Sequence, residues 1–240
     1  MFIVINKRGI NSKSSVGSQR SMKKIVLYGA GGLAREIANM IEIINAIEIK
    51  KRNEAKYDLL GFLDDNVKVG TDLNGYKILG NSEWIFQNKE VFCTCSIANV
   101  SVKKKIHDFL NANGVKFESL IAPDVYVPPS TKIGKDCVIV GHTLLSVNMN
   151  IEDGVFINSG VSLGHDVFIG KYSCIMPGTS ISGYCKIGKQ VTVGGHTFIV
   201  PGKNIGDRAI IAAGSVVFGN VKSGTTVLGN PAKRMRALEK

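Results

Sequence analysis

Residues 151–175 read IEDGVFINSGVSLGHDVFIGKYSCI, and a branched aliphatic residue stands at every sixth position of this stretch. Those positions are Ile151, Ile157, Leu163, Ile169 and Ile175. The same spacing continues without interruption from Ile121 to Val217, which makes seventeen hexads. Neither a helical period nor a strand alternation produces a repeat of six, so this stretch predicts a repeat architecture.

The other hexad positions predict the shape of each repeat. At nearly every repeat a small or β-branched residue follows the aliphatic by four positions, and Gly, Asn and Asp, which tolerate tight or left-handed turns, stand between. A chain that turns a corner every six residues closes a triangular coil after about eighteen residues. Stacked coils pair as short parallel strands, and the aliphatic side chains fill the interior. We therefore expect a parallel β-helix.

The composition is that of an ordinary soluble protein of one or two domains, with 240 residues, 44% of them apolar and 20% charged. Thirty Lys and Arg against nineteen Asp and Glu give a net charge of +11, which favours anionic partners. One interpretation is phosphorylated ligands such as nucleotide sugars and coenzyme A; the other is a basic solvated surface. Nucleic acid is not expected, because the basic residues are dispersed and lack interleaved aromatic residues.

Residues 1–21 are basic, polar and aperiodic, and they predict a flexible extension with no part in catalysis. The apolar run at residues 1–5 is too short for a signal-peptide core, and no later segment reaches membrane-spanning length. The five cysteines show no metal-type spacing, which favours a reducing compartment. We expect a cytoplasmic protein with no membrane insertion and no metal.

Ahead of the repeats, residues 22–120 predict a Rossmann-like α/β domain. The buried-strand run KIVLY at 24–28 is followed by Gly29, Gly31 and Gly32, and then by a helical stretch from Leu33 to about Ile47. The N-terminus of such a helix presents free backbone N–H groups to an anion, so the three glycines are candidate phosphate-binding residues. A tight turn alone is the alternative, because the last glycine of the dinucleotide fingerprint is absent.

Two further features of this domain bear on function. The second strand, residues 59–63, ends in Asp64 and Asp65, whose carboxylates are placed to accept hydrogen bonds from a ribose or a base. A later helix, predicted over 100–113, carries His107, which we interpret as a surface or boundary residue. The β-helix domain then occupies residues 121–240.

The candidate chemistry lies in the β-helix, at His165 and Asp166. His165 is third in its hexad and therefore outside the core positions, and an imidazole is the natural base for an amine or hydroxyl near neutral pH. Asp166 would orient the ring. Gly183 follows His165 by eighteen residues, one coil later, where it would admit a thioester and offer its N–H to an oxyanion. The alternative is a surface histidine.

These features together resemble a known family. The hexads, the GAGG turn at 29–32 and FLDD at 62–65 resemble the hexapeptide-repeat, left-handed β-helix acyltransferases that acetylate UDP-4-amino-4,6-dideoxy sugars, and their sialic acid O-acetyltransferase-like relatives. The match covers about residues 23–237. It implies a homotrimer in which the front domain binds the UDP-sugar and acetyl-CoA lies between neighbouring β-helices.

The resemblance also implies roles for single residues. It places His165 as the base, Asp166 beside it, and Asn158 at the acceptor site. Cys174 stands where the family has a second histidine, and GNPAK at 229–233 resembles the family's end motif near the coenzyme. The implied coenzyme A contacts are Cys174, Gly183, Ala213, Pro231 and Lys233. A basic tail that caps the last coil is the alternative reading of GNPAK.

The function expected from this sequence is direct acetyl transfer from acetyl-CoA to the amine of a UDP-4-amino-4,6-dideoxy sugar in bacterial surface glycan biosynthesis, with His165 as general base. One alternative is O-acetylation of a sialic acid or another sugar. A further alternative is a non-catalytic β-helix that only binds a nucleotide sugar.

Overall fold

The computed structural model describes residues 22–235, so the predicted extension at 1–21 lies outside the described residues. The first part of the chain is an α/β layer with nine elements: β1 Lys23–Tyr28, α1 Gly32–Arg52, β2 Tyr57–Leu63, β3 Asp72–Leu73, β4 Tyr76–Gly80, α2 Ser82–Gln87, β5 Phe92–Cys95, α3 Val100–Ala112 and β6 Lys116–Phe117. Its sheet has the order β3-β4-β2-β1-β5-β6 and is parallel except for the β3–β4 pair.

The strand order places the glycine turn at a favoured ligand position. β1 lies between β2 and β5, so successive crossovers leave the carboxyl end of β1 in opposite directions, and a cleft opens there. α1 starts in this cleft and runs five residues beyond the predicted end at Ile47. The extension has a local cause, since Lys50, Lys51 and Arg52 favour a helix C-terminus and Asn53 ends the helix with a φ of 60°.

The second part of the chain is built from two-residue strands. They are β7 Leu120–Ile121, β8 Lys132–Ile133, β9 Val138–Ile139, β10 Leu144–Leu145, β11 Asn150–Ile151, β12 Phe156–Ile157, β13 Ser162–Leu163, β14 Phe168–Ile169, β15 Cys174–Ile175, β16 Ser180–Ile181, β17 Lys186–Ile187, β18 Thr192–Val193, β19 Phe198–Ile199, β20 Asn204–Ile205, β21 Ile210–Ile211 and β22 Val216–Val217. They pair in parallel with partners eighteen residues apart, as in Ile157 with Ile175. The predicted fold class, an α/β domain followed by a left-handed parallel β-helix, is confirmed.

The β-helix has three faces, each one sheet. The docked face contains β7, β9, β12, β15, β18 and β21; the polar face contains β8, β11, β14, β17 and β20; the open face contains β10, β13, β16, β19 and β22. Along each face the hexad aliphatics point inward, and from Ile139 to Val217 each of them is buried. Burial of this continuous aliphatic column is the main term that holds the coils together.

The N-terminal domain packs on the docked face. Val138, Phe156 and Cys174 point outward from that face, yet each is at most 2% exposed because the domain covers them. Ile210 also points outward, from a higher coil of the same face, but it is 46% exposed because the domain does not cover it. The interpretation of His107 as a surface or boundary residue is wrong: its side chain is buried, with 5% exposed, because α3 lies in this junction.

The last coil continues past the predicted end of the hexads at Val217. Val221 bridges to Ile205, and β23 (Thr226–Gly229) pairs in parallel with β21. The offset is sixteen residues instead of eighteen, since Ile211 pairs with Val227, so the coil has lost two residues without losing its pairing. β24 (Ala232–Arg234) then folds back antiparallel and ends the sheet.

Candidate active site

His165 and Asp166 form a hydrogen-bonded pair in the turn between β13 and β14, where the open face meets the polar face. Nδ1 of His165 lies 2.9 Å from Oδ2 of Asp166. Asp166 has a φ of 57°, a left-handed conformation that aspartate adopts more readily than most residues. About half of the His165 side chain and a third of the Asp166 side chain are exposed. A substrate can therefore reach an imidazole that a carboxylate orients.

Gly183 lies one coil above His165, against its ring. A Cβ at Gly183 would lie 2.7 Å from both Cε1 and Nε2 of the imidazole, so only glycine leaves room for the ring in this position. Gly183 is buried, and within residues 22–235 its backbone N–H donates no hydrogen bond. Because buried N–H groups in native proteins nearly always have a partner, an N–H group without one in the protein is a candidate donor to a ligand.

Tyr184 is a neighbour of His165 that the sequence reasoning missed. Its ring lies 4.7 Å from the His165 ring, centroid to centroid, at an interplanar angle of 85°. The eighteen-residue offset contains a signal for it, since Tyr184 lies one coil above Asp166. The repeat pattern marks that position only as a turn, and it does not show that an aromatic side chain there contacts the histidine.

Asn158 lies at a different corner from His165. It follows β12, where the docked face meets the open face, and the seven residues to His165 span the width of the open face, up to about 20 Å. Asn158 lines a cavity of about 740 Å³ between α1 and the β-helix, with Glu36, Asn39 and His142. The structure therefore does not bring Asn158 and His165 together within one chain.

The glycine turn lines a second cavity, of about 340 Å³, at the carboxyl end of β1. Gly29, Gly31, Gly32, Asp64 and Asp65 all lie in its wall. α1 has no side-chain N-cap, and within residues 22–235 the N–H groups of Gly31, Gly32 and Leu33 donate no hydrogen bond. Free N–H groups at a helix N-terminus favour an anion such as a phosphate.

The two aspartates of this cavity already have partners in the protein. Asp64 accepts hydrogen bonds from the backbone N–H groups of Ala30 at 3.0 Å and Asn66 at 2.9 Å. Asp65 accepts from the hydroxyl of Tyr28 at 3.0 Å. Burial, together with this bond and the charge of Asp65, raises the pKa of Tyr28 well above its usual value. Asp64 therefore holds the glycine turn in place, and Asp65 is fixed beside it.

The residues expected to contact coenzyme A are dispersed. Gly183 lies with His165, whereas Ala213 is exposed at the corner that also carries Asn158. Pro231 and Lys233 are exposed at the β23–β24 hairpin. Cys174 is 2% exposed under the N-terminal domain, its Sγ is 3.6 Å from Sδ of Met176, and burial raises the pKa of its thiol to about 11. That position gives Cys174 no surface to offer a coenzyme.

Comparison with known proteins identifies the family to which this chain belongs. Residues 24–110 match the PglD N-terminal domain, and residues 184–218 match the hexapeptide repeat of succinyl-transferase. The chain is 31% identical over 234 residues to the GDP-perosamine N-acetyltransferase of Escherichia coli O157:H7, an alignment that covers 88% of this chain and 95% of the relative. The chain belongs to the hexapeptide-repeat sugar N-acetyltransferases. The predicted activity class, an acyltransferase that uses acetyl-CoA, is confirmed by this membership.

Solved structures of similar proteins agree with the fold of this sugar N-acetyltransferase. The acetyltransferase domain of PglB from Neisseria gonorrhoeae FA1090, in complex with acetyl coenzyme A, is 26% identical with a TM-score of 0.80, and the match covers 90% of this chain and 100% of that one. WeeI from Acinetobacter baumannii AYE is 28% identical with a TM-score of 0.78 over 90% and 100% of the two chains.

A buried polar cluster lies at the domain junction of this sugar N-acetyltransferase, away from His165. Oδ1 of Asp136 accepts the backbone N–H of Cys95 at 2.7 Å, and Oδ2 of Asp136 lies 2.9 Å from Nδ1 of His107. Within residues 22–235 this is the only group of three Cys, His, Asp or Glu side chains close enough to hold a metal ion. Both carboxylate oxygens are occupied within the protein, so the cluster fits an interdomain ion pair better than a metal site.

No helix within residues 22–235 combines the length and the apolar character needed to cross a membrane.

Proposed function

We propose that this enzyme transfers the acetyl group of acetyl-CoA to the amine of a nucleotide-linked 4-amino-4,6-dideoxy sugar, with His165 as general base. The observation that carries the proposal is the joint position of three groups: the His165 imidazole, the Asp166 carboxylate on its Nδ1, and the unpaired N–H of Gly183 beside the ring. A base, its orienting carboxylate and an oxyanion donor are the parts that direct acyl transfer needs.

The chemical steps follow from these three groups. The sugar amine attacks the thioester carbonyl while Nε2 of His165 accepts the amine proton, and Asp166 stabilises the imidazolium through Nδ1. The carbonyl oxygen becomes an oxyanion, which the Gly183 N–H stabilises. The intermediate then collapses, the C–S bond breaks, and the coenzyme A thiolate takes the proton from the imidazolium. No covalent enzyme intermediate is required.

The nucleotide of the acceptor is assigned to the cavity at the glycine turn. The free N–H groups at the start of α1 suit a diphosphate, and Asp65 lies in the same wall. We propose UDP as the nucleotide, as the sequence resemblance implies. GDP is the second candidate, because the curated relative at 31% identity is a GDP-perosamine N-acetyltransferase.

The separation of Asn158 from His165 favours a homotrimer. The two residues lie at opposite edges of the open face, whose outward side chains include Leu144, 65% exposed, and Phe198, 42% exposed. A neighbouring copy seated on this face would cover those apolar side chains and set its own His165 near the cavity that Asn158 lines. Acetyl-CoA would then lie between copies in contact with Gly183 and Ala213, with Pro231 and Lys233 near its phosphates.

We place the reaction in the cytoplasm.

A His165→Ala variant tests the proposal. We expect a loss of kcat of about 10²-fold or more, because general-base catalysis typically contributes 10²- to 10⁴-fold. The matched control is His196→Ala, since His196 is also an exposed histidine in a turn of the β-helix but has no carboxylate partner within residues 22–235. Full turnover by a folded His165→Ala variant would rule out the base role.

The choice of acceptor tests the alternatives. Coenzyme A release with UDP-linked or GDP-linked 4-amino sugars identifies the nucleotide. Release with free sialic acid, and not with an amino sugar, would instead make the protein an O-acetyltransferase. Binding of a nucleotide sugar without any release, in a protein that does not bind acetyl-CoA, would identify a non-catalytic binding protein.

A further inference from the structure

Tyr184 occupies a backbone position that tyrosine adopts at a cost. Its φ is 60°, in the left-handed region where Gly, Asn and Asp are favoured and bulky side chains are rare. The equivalent residues one coil below and one coil above are Asp166 and Gly202, which fit the pattern. His142, Tyr172, Gln190, His196 and Arg208 also have positive φ values in β-helix turns, so the conformation alone does not distinguish Tyr184; the contact that its ring makes does.

Neither burial in the core nor a hydrogen bond of the hydroxyl explains why a tyrosine stands at position 184. Tyr172 has a similar φ of 64°, but it is 7% exposed and donates a hydrogen bond to Asp108 across the domain junction at 2.6 Å. Tyr184 is 62% exposed, and within residues 22–235 its hydroxyl makes no hydrogen bond. Its ring contact is with His165. The side chain therefore adds little to the core, and what it contacts is the base.

The contacts that His165 makes with other residues restrain its ring only in part. Asp166 holds Nδ1, but the pair is half exposed, and a hydrogen bond or ion pair in contact with water holds a side chain weakly. Gly183 bounds the ring near Cε1 and Nε2. Tyr184 stands perpendicular to the imidazole, and its backbone N–H donates to the carbonyl of His165 at 2.9 Å, which fixes the two residues relative to each other. An edge-to-face arrangement of this kind restrains the orientation of both rings.

We propose that Tyr184 is a positioning residue for His165, whose ring holds the imidazole in the orientation that directs Nε2 at the acceptor amine. The inference rests on the proposed role of His165 as the base. The aromatic ring is the functional part of the side chain, and the hydroxyl is dispensable.

The test replaces the ring without straining the backbone. Tyr184→Asn removes the ring and places at φ 60° a residue that favours this conformation, so the fold is preserved. We expect kcat to fall about tenfold while the KM values for acetyl-CoA and acceptor stay within about twofold, because the loss is in orientation and not in binding. Tyr184→Phe keeps the ring and should retain kcat within about twofold. Gln190→Asn, in another turn at φ 56°, is the matched control.

A second readout does not depend on turnover. In the substrate-free protein the Cε1 proton of His165 feels the ring current of Tyr184, so its NMR signal should move in Tyr184→Asn and stay in place in Tyr184→Phe. Assignment comes from the signal that disappears in His165→Ala.

The outcomes separate this proposal from the one on which it rests. Full activity of His165→Ala would overturn the role of His165 as the base, and the role of Tyr184 with it. Loss of activity in His165→Ala together with unchanged kcat in Tyr184→Asn would overturn the role of Tyr184 alone. An equal loss in Tyr184→Phe would also overturn it, because the hydroxyl would then be the group that acts.

Discussion

A Gly183→Ala substitution should displace the proposed base without disturbing the fold. The added Cβ would lie 2.7 Å from Cε1 and Nε2 of His165. Non-bonded carbon atoms prefer a separation of at least about 3.5 Å, so the ring must move by about 0.8 Å. A displacement near 1 Å in a catalytic group lowers the rate by up to about 10²-fold, which corresponds to a barrier increase of about 2.7 kcal/mol. Gly183 does not have a positive φ, so alanine adds no backbone strain there.

The assay for this variant is thiol release from acetyl-CoA at saturating acceptor, with the melting temperature measured in parallel. Gly219→Ala is the matched control, because Gly219 is the equivalent residue two coils above and a Cβ there meets nothing within 4 Å. We expect Gly219→Ala to retain the wild-type rate and both variants to melt close to the wild type. A folded Gly183→Ala enzyme with a rate within twofold of the wild type would show that the position of the His165 ring does not limit the rate.

Three further predictions follow from the site and the junction. Asp166→Asn should lower kcat about 10- to 100-fold without changing the melting temperature, because an amide that donates to Nδ1 leaves the proton on Nε2; kinetics against pH measure this. Gly29→Ala should lower the melting temperature and raise the acceptor KM, because Gly29 has a φ of 110° and its Cβ would lie 3.0 Å from Cγ1 of Ile97; wild-type values for both would contradict this. Burial lowers the pKa of His107, but its bonds to Asp136 and Cys95 outweigh burial and raise it to about 9 from 6.5. His107 therefore contributes on the order of 3 kcal/mol to the free energy of unfolding. This contribution is complete below pH 6.5 and is lost as the pH rises through about 9. Urea unfolding at pH 6 and 9.5 should show this loss in the wild type and not in His107→Gln.

The hexads predicted the β-helix because one physical requirement repeats at every coil. Each aliphatic from Ile121 to Val217 must point inward, and only a chain that turns after six residues meets that requirement. The two-residue deletion after Val217 was not predictable, since it breaks the period while the strand pairing continues at an offset of sixteen.

The site was predictable where it depends on the coil repeat. The eighteen-residue offset sets Gly183 against His165, and it follows directly from three hexads per coil. The same arithmetic places Asn158 and His165 at adjacent corners, because seven residues exceed one face of six. Asn158 at the acceptor site, as the resemblance implies, would therefore need His165 of a neighbouring copy.

The environment of His107 was not predictable from local sequence. Its partner Asp136 lies 29 residues further along the chain, in the first coils of the β-helix, and it contacts α3 only because the N-terminal domain packs on the docked face. Tyr184 illustrates the same principle on a smaller scale. Its position is given by the repeat, but the contact of its ring with His165 depends on side-chain orientation, which the period does not encode.

The most direct test of the proposed reaction measures coenzyme A release and acetylation of the acceptor together. Wild-type enzyme and His165→Ala would each be incubated with acetyl-CoA and a UDP-linked or GDP-linked 4-amino-4,6-dideoxy sugar. We expect one acetyl group on the sugar amine for each thiol released by the wild type, and almost no product from a folded His165→Ala variant. Equal product from the two proteins, or no acetylated amine with either sugar, would contradict it.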